Sequence, residues 1–168
     1  MGMIAEYLMV DEETLDYLID LDDEDLTDRI FEIEESKKFL SIDIDKIWDA
    51  LHCFLTNVSA TEPIEDNKLS EAIVGINTFS EDEDADFISF TENDEIKGII
   101  DEMEKIDFDI LVANFDPLIL KKNKVYPKGI WDENKEQLIK EFKAAFDELL
   151  KFYKKALETQ HHVIVSIL

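Results

Sequence analysis

The sequence contains few of the residues that mark several common protein classes. It has one cysteine, four glycines and three prolines in 168 residues. A single cysteine cannot close an internal disulfide, so a disulfide-stapled fold is excluded. Cys53 stands beside Phe54 in an apolar helical pattern, and we expect it to be a small buried hydrophobe. The glycines never cluster, which leaves no glycine-rich loop for phosphate.

Long apolar runs are also missing. None approaches the ~20 residues that a helix needs to cross a bilayer. The sequence begins Met1-Gly2-Met3-Ile4-Ala5-Glu6, without the basic and then apolar segments of a signal peptide. We therefore predict a cytoplasmic protein that makes no membrane contact.

Basic residues are scarce relative to acidic ones. Lysine and arginine number 17 against 42 aspartates and glutamates, a formal net charge of −25. Residues 1–100 hold 29 acids and 6 bases, a net of −23, whereas residues 101–168 hold 13 acids and 11 bases, a net of −2. A negative field of this kind repels phosphates, so direct nucleic acid binding is not expected, and it speeds association with a basic partner. It also keeps a protein soluble, which needs no partner.

The acidic segments do not follow the spacing of a known metal site. The calcium loop of an EF-hand needs glycine at its sixth position and glutamate at its twelfth, and loops starting at Asp20 or Asp82 have neither. The soft ligands His52, Cys53, His161 and His162 form two adjacent pairs, whose members point in different directions. We predict no metal and no cofactor. No Gly-x-Ser-x-Gly elbow or other catalytic motif is recognised, so the assignment as an enzyme stays open.

Apolar periodicity predicts an α+β fold. Alternating or β-rich segments open and close the chain, and others lie near 76–79 and 87–90. Apolar residues at three- and four-residue steps predict several helices, the longest running from Asp132 to about Glu158. We expect one domain over 1–168, with a small mixed sheet of three to four strands that includes the N- and C-terminal strands. Several helices, one of them the long C-terminal helix, should pack on this sheet.

One helix and one loop supply the candidate site. Trp48, His52 and Thr56 stand four residues apart and share one strip of the predicted central helix. At the border of a cleft, His52 could act as a general acid or base with Thr56 as its hydrogen-bond partner. The alternative is a partly buried histidine whose hydrogen bonding is satisfied by a nearby carbonyl, beside a core tryptophan. Tyr126 and Trp131 lie on a proline- and glycine-containing loop, where large aromatics either line a pocket or close a small core.

Several of these residues belong to a pattern that resembles the YfbM-like bacterial family, a domain family of unknown function (1877). The pattern comprises Asp43-x-Asp45-Lys46-x-Trp48-Asp49-x-Leu51-His52-x-x-Leu55-Thr56, the start Met1-Gly2-Met3-Ile4, Leu69-Ser70-x-Ala72-Ile73-Val74-Gly75 and Tyr126-Pro127-x-Gly129-Ile130-Trp131. The resemblance spans nearly the whole chain. It implies a compact α+β domain of bacterial or phage origin and supplies no activity, cofactor or catalytic set.

Three functional hypotheses follow. The first is a noncatalytic acidic binding protein, similar to an immunity or inhibitor protein, that engages a basic protein partner through residues 1–100. The second is a small-ligand-binding protein or enzyme with a cleft near Trp48, His52, Thr56, Tyr126 and Trp131. The third and weaker hypothesis is an acidic mimic of nucleic acid, with carboxylates spaced as phosphates are.

Overall fold

A computed structural model describes residues 2–168 and has the predicted α+β architecture. Its five strands are β1 (Ala5–Val10), β2 (Ser41–Asp43), β3 (Asn77–Thr78), β4 (Phe87–Thr91) and β5 (His162–Ile167). Its α-helices are α1 (Glu12–Ile19), α2 (Asp23–Ser36), α3 (Trp48–Thr56), α4 (Lys68–Val74), α5 (Asn93–Glu104), α6 (Phe108–Asn114), α7 (Leu118–Lys122) and α8 (Lys135–Glu158). Short 3-10 turns at Asp45–Ile47 and Ile130–Asp132 precede α3 and α8.

The strands form one sheet in the order β2-β1-β5-β4-β3. Its four pairings are all antiparallel, which corrects the expected mixed sheet of three to four strands. The two strands at its edges, β2 and β3, have three and two residues. The sequence predicts a strand near 76–79, where β3 lies, but not β2, whose three residues are too few to show alternation. The terminal strands β1 and β5 pair along their full lengths in the middle of the sheet.

Both faces of the sheet are covered. Alternate residues of β1 point to opposite sides, so Tyr7 and Met9 join the larger core while Leu8 and Val10 join the smaller one. The larger core includes residues of α3, α4, α5 and α8, and the smaller core includes residues of α1 and α2. Among residues 2–168, no helix is both long and apolar enough to span a bilayer.

The helix ends follow local chemistry. The Asp11 side chain accepts a 2.9 Å hydrogen bond from the Thr14 N–H and so caps α1. Asn134 caps α8 by accepting from the Gln137 N–H at 3.1 Å, two residues later than the predicted start at Asp132. α8 then runs for 24 residues with its apolar stripe buried, as its three- and four-residue periodicity predicts.

Candidate functional site

The helix α3 lies at the centre of the predicted site and is buried along almost its whole length. Every residue from Trp48 to Leu55 is buried, including the polar side chains of Asp49 and His52. Buried polar groups need hydrogen-bond partners. The partners of Asp49 and His52 lie in the loop that follows α3, in α4 and in the loop that carries Tyr126.

The Trp48 and Tyr126 rings are stacked, with centroids 5.6 Å apart and an interplanar angle of 25°. Both side chains bind the same residue of the N-terminal segment. The Trp48 indole N–H donates to the Met3 carbonyl at 3.0 Å, and the Met3 N–H donates to the Tyr126 hydroxyl at 2.7 Å. A Cβ atom at Gly2 would overlap the Tyr126 hydroxyl and the Lys46 side chain. The aromatic pair is thus an anchor for residues 2 and 3.

Asp49 connects two loops through one buried carboxylate. Its Oδ1 accepts from the Ser59 hydroxyl at 2.8 Å and from the Ala60 N–H at 2.7 Å. Its Oδ2 accepts from the Tyr126 N–H at 2.8 Å. Three hydrogen bonds replace part of the hydration that a buried carboxylate loses.

His52 has both ring nitrogens occupied. Nδ1 lies 2.8 Å from the Val58 carbonyl, and Nε2 lies 2.7 Å from the Ser70 hydroxyl, which also accepts from the Ile64 N–H at 3.1 Å. The carbonyl can only accept, so Nδ1 carries the proton and Nε2 accepts from Ser70. Burial lowers the pKa of His52, although the Val58 carbonyl and the charge of Asp49 act in the opposite direction. Both nitrogens of His52 are therefore held by groups of the same chain.

The structure brings the five predicted site residues together only in part. Trp48 meets Tyr126, and Thr56 lies 3.2 Å from the His52 Nδ1 while its hydroxyl donates to the His52 carbonyl at 2.8 Å. Trp131 lies half-buried in the 3-10 turn at Ile130–Asp132 and packs against the larger core. None of the five lines a surface concavity described for residues 2–168. Their functional role stays a prediction.

Two neighbouring concavities flank the sheet edge at β3. One, of about 340 Å³, lies between the start of α2 and the loop 79–86. The other, of about 420 Å³, lies between the loop 63–66, the end of α4 and β3. Both are lined by Thr78 and Phe87, so they are adjacent, and we name them together the acidic groove.

Carboxylates are the charged groups that line the acidic groove. Five belong to the first concavity and three to the second, and no lysine or arginine lines either; the eight are Asp23, Glu81, Asp82, Glu83, Asp86, Glu65, Asp66 and Glu71. Only Glu71 has an ion-pair partner in the described chain, since Lys68 lies 2.7 Å from it. Phe87 and Ile64 add apolar surface, with exposed fractions of 41% and 40%.

Two hydrogen bonds between neutral hydroxyls and carboxylates hold this groove together. The Ser80 hydroxyl donates to Asp23 at 2.6 Å, and the Thr27 hydroxyl donates to Asp86 at 2.7 Å. The loop 79–86 is thereby fixed to the first turns of α2, whose acidic residues also lie at the positive end of the helix dipole. The groove is a shaped surface of the folded chain and its acids come from three separate segments.

Comparison with known proteins decides the family. The model of a family described as "Domain of unknown function (DUF1877)" matches residues 1–166. The chain belongs to this family. The predicted resemblance is confirmed, and with it the α+β fold.

Protein YfbM from Escherichia coli makes the likeness quantitative, both by sequence and by structure. Protein YfbM from Escherichia coli strain K12 is 30% identical over 168 residues, which cover 99% of each chain. The crystal structure of YfbM from Escherichia coli, titled as a protein of unknown function, superposes with a TM-score of 0.81 at 27% identity. That match covers 99% of this chain and 100% of the other. The family and the solved structure are both described as being of unknown function, as the resemblance implied.

Three residues that form hydrogen bonds within or against α3 were not predicted as site residues: Asp49, Ser59 and Ser70. Asp49 stands in the family-like run, but a charged residue between Trp48 and the apolar stripe gives no sign of burial. Its partners lie 10 and 77 positions away. A hydrophobicity pattern cannot foresee such contacts because they depend on how the loops close.

A further carboxylate cluster has a structural explanation. Glu92, Asp94 and Glu95 place oxygen atoms within 4.8 Å of one another. Glu92 and Glu95 form the capping box at the start of α5, so both side chains bind backbone N–H groups. Glu95 also accepts from the Asn77 amide at 3.1 Å. Helix capping accounts for this cluster.

Proposed function

We propose that the chain is a noncatalytic binding protein whose acidic groove engages a basic protein partner in the cytoplasm. The observation that carries the proposal is the joined pair of concavities with eight carboxylates and no basic lining residue. Lysine or arginine side chains of a partner would gain charge-assisted hydrogen bonds there. The exposed side chains of Phe87 and Ile64 would cover apolar surface of the partner that lies between its basic side chains.

The shape of the groove favours a chain that binds a basic protein over a chain that mimics nucleic acid. A mimic needs a regular row of exposed negative charges at phosphate intervals. Here the carboxylates line two concavities, and the first of these also has an apolar lining that includes Leu26, Phe79 and Ile88. Such a lining suits a partner that inserts an apolar side chain between basic ones.

The hypothesis of a cleft around His52 receives less support. Both imidazole nitrogens are engaged, and Trp48 and Tyr126 bind the backbone of Met3. A general acid or base must reach its substrate within hydrogen-bond distance, which a sealed imidazole does not. These contacts support a structural role for α3.

Titration with short labelled oligolysine peptides tests the proposal. We expect saturable binding that weakens as the salt concentration rises, because ion pairs at the surface are screened. A peptide with a central leucine between lysines should bind more tightly than lysine alone, since the groove has an apolar lining. Fluorescence anisotropy measures both.

Matched charge variants separate a specific groove from general acidity. The triple variant E81Q/D82N/E83Q removes three charges from the groove, and D109N/E136Q/E141Q removes three exposed charges elsewhere. We expect about a tenfold loss of affinity for the first and at most about a twofold loss for the second, from roughly 0.5 kcal/mol per surface contact. Equal losses would show that only net charge matters and would overturn the proposal.

A further inference from the structure

The other edge of the sheet, at β2, is also open. Across the β1 pairing, the Met9 N–H donates to the Leu40 carbonyl at 2.9 Å and the Ile44 N–H donates to the Ala5 carbonyl at 3.1 Å. In an antiparallel pair, alternate residues direct their N–H and C=O groups to the same neighbour. The backbone groups of Ser41 and Asp43 therefore point away from β1 and toward the free edge.

A groove of about 560 Å³ runs beside this edge, between β2 and α8. Leu40, Ile42 and Phe152 supply its apolar surface, and Leu40 is 52% exposed. The rim carries three lysines from α8, Lys151, Lys154 and Lys155, together with Glu148 and Glu158 of the same helix. With three basic and two acidic residues, the lining of this groove is not acidic, although the chain has a net charge of −25.

This combination fits a second copy of the chain. A two-fold axis beside β2 would pair the two edges antiparallel, and each would satisfy the free backbone groups of the other. The α8 helices would then run antiparallel, so that Lys151 of one copy could pair with Glu148 of the other. Lys154 and Lys155 already lie 2.8 Å from Glu104 and 4.0 Å from Glu158 of their own chain. Because Lys151 and Glu148 supply one charge of each sign in every copy, the surface is complementary to itself.

We propose that two copies of this chain associate through β2 and α8 into a dimer with one continuous sheet. The surface excludes the acidic groove, since β2 and β3 lie at opposite edges of the sheet. Four strand spacings of about 4.8 Å separate the edges within one copy. The dimer therefore presents two acidic grooves at its far ends.

The dimer should respond to salt in the opposite direction from the binding of a basic partner. Two chains of net charge −25 repel each other at long range, and salt screens that repulsion. We expect sedimentation equilibrium to give a mass of twice 19.6 kDa at high protein concentration, with tighter association at high salt. This outcome is independent of whether the acidic groove binds oligolysine.

Substitutions at exposed positions test the surface. Leu40→Glu should raise the dissociation constant at least about tenfold, because it places a charge at the apolar contact. The matched control Leu118→Glu adds the same charge at a residue that is 63% exposed on α7, and it should leave the dimer unchanged. Ser41→Pro removes an N–H that points away from β1 and should also weaken the dimer. Circular dichroism checks that each variant is folded.

Two outcomes would overturn the proposal. The first is a monomer at every protein and salt concentration, which would mean that the groove between β2 and α8 does not join two copies of this chain. The second is a dimer whose dissociation constant is the same for the folded Leu40→Glu, Ser41→Pro and Leu118→Glu variants, which would place the contact elsewhere.

Discussion

The hydroxyls of Tyr7 and Tyr153 donate to neighbouring carbonyls at the same helix end. Tyr7 reaches the Ile73 carbonyl at 2.7 Å, and Tyr153 reaches the Ala72 carbonyl at 2.6 Å. The Ser89 hydroxyl donates to the next carbonyl, that of Val74, at 2.6 Å. The last carbonyls of a helix have no partner within the helix. Side chains from β1, α8 and β4 supply the missing donors at the end of α4.

Removal of either tyrosine hydroxyl should destabilise the fold. Tyr7→Phe and Tyr153→Phe each leave a buried carbonyl without its donor, at a cost of about 1–2 kcal/mol in the free energy of unfolding. Urea denaturation measures the loss. Tyr17→Phe is the control, since Tyr17 is 47% exposed, and it should change the stability little. Equal stability of all three variants would contradict the proposed role of the hydroxyls.

Gly75 follows the same helix end in a backbone conformation of φ +79° and ψ −176°. A Cβ there would overlap the Ser89 hydroxyl. We expect Gly75→Ala to cost roughly 2–5 kcal/mol, from backbone strain and the clash together. Gly129→Ala is a comparison without a clash, because Gly129 has no atom within 4 Å of the added Cβ. Its backbone, at φ +92° and ψ −2°, also lies in the left-handed helical region, which restricts alanine less than the conformation of Gly75 does. The substitution should cost only about 1–2 kcal/mol, for strain alone. Thermal unfolding of both variants measures the loss of stability, and equal losses would show that the contact with Ser89 adds no cost.

His52 should make the protein less stable in mild acid. Its pKa is lowered in the folded state, chiefly by burial, from the ordinary value of 6.5. The unfolded chain therefore binds a proton before the folded chain does as the pH falls below 6.5, and stability declines until the folded pKa is passed. Urea denaturation from pH 7.5 down to pH 5 measures this slope. His52→Gln should be less stable at pH 7.5, where it loses ring contacts, and the part of the slope due to His52 should disappear. An unchanged slope would contradict the assignment.

Glu34 should have the opposite effect on stability. Burial, followed by the neighbouring Glu6 carboxyl, raises the pKa of Glu34 from 4.5 to about 8, and its Oε1 atom is buried without a hydrogen-bond partner. The folded chain holds this proton more tightly, so stability declines as the pH rises from 4.5 to about 8. Glu34→Gln should remove that decline and be more stable than the original chain at pH 8. The exposed neighbour Glu35→Gln removes the same charge and serves as the control. If both variants gain equally, only the reduced net charge is responsible.

The sequence by itself determined the elements with a strong local signal. The apolar stripe of α8 repeats over 24 residues, and Asp11 and Gly75 mark helix ends through their own backbone and side-chain chemistry. The family-like segments, taken together, also indicated the family, which the family model over residues 1–166 confirms. For His52, the alternative of a satisfied histidine beside a carbonyl is the arrangement in the structure. These features depend on neighbours within a few residues.

Tertiary structure alone decided which distant segments meet. Tyr126 reaches Trp48, Asp49 and Met3 only because two loops close over α3. The edge strand β2 is too short for a periodic signal, yet it forms one edge of the sheet, opposite the edge formed by β3. Net charge could be counted in the sequence, but the acidic groove needs carboxylates from α2, the loop 63–66 and the loop 79–86 in one place. Loop closure and sheet order are set by the packing of the whole chain, which local pattern does not contain.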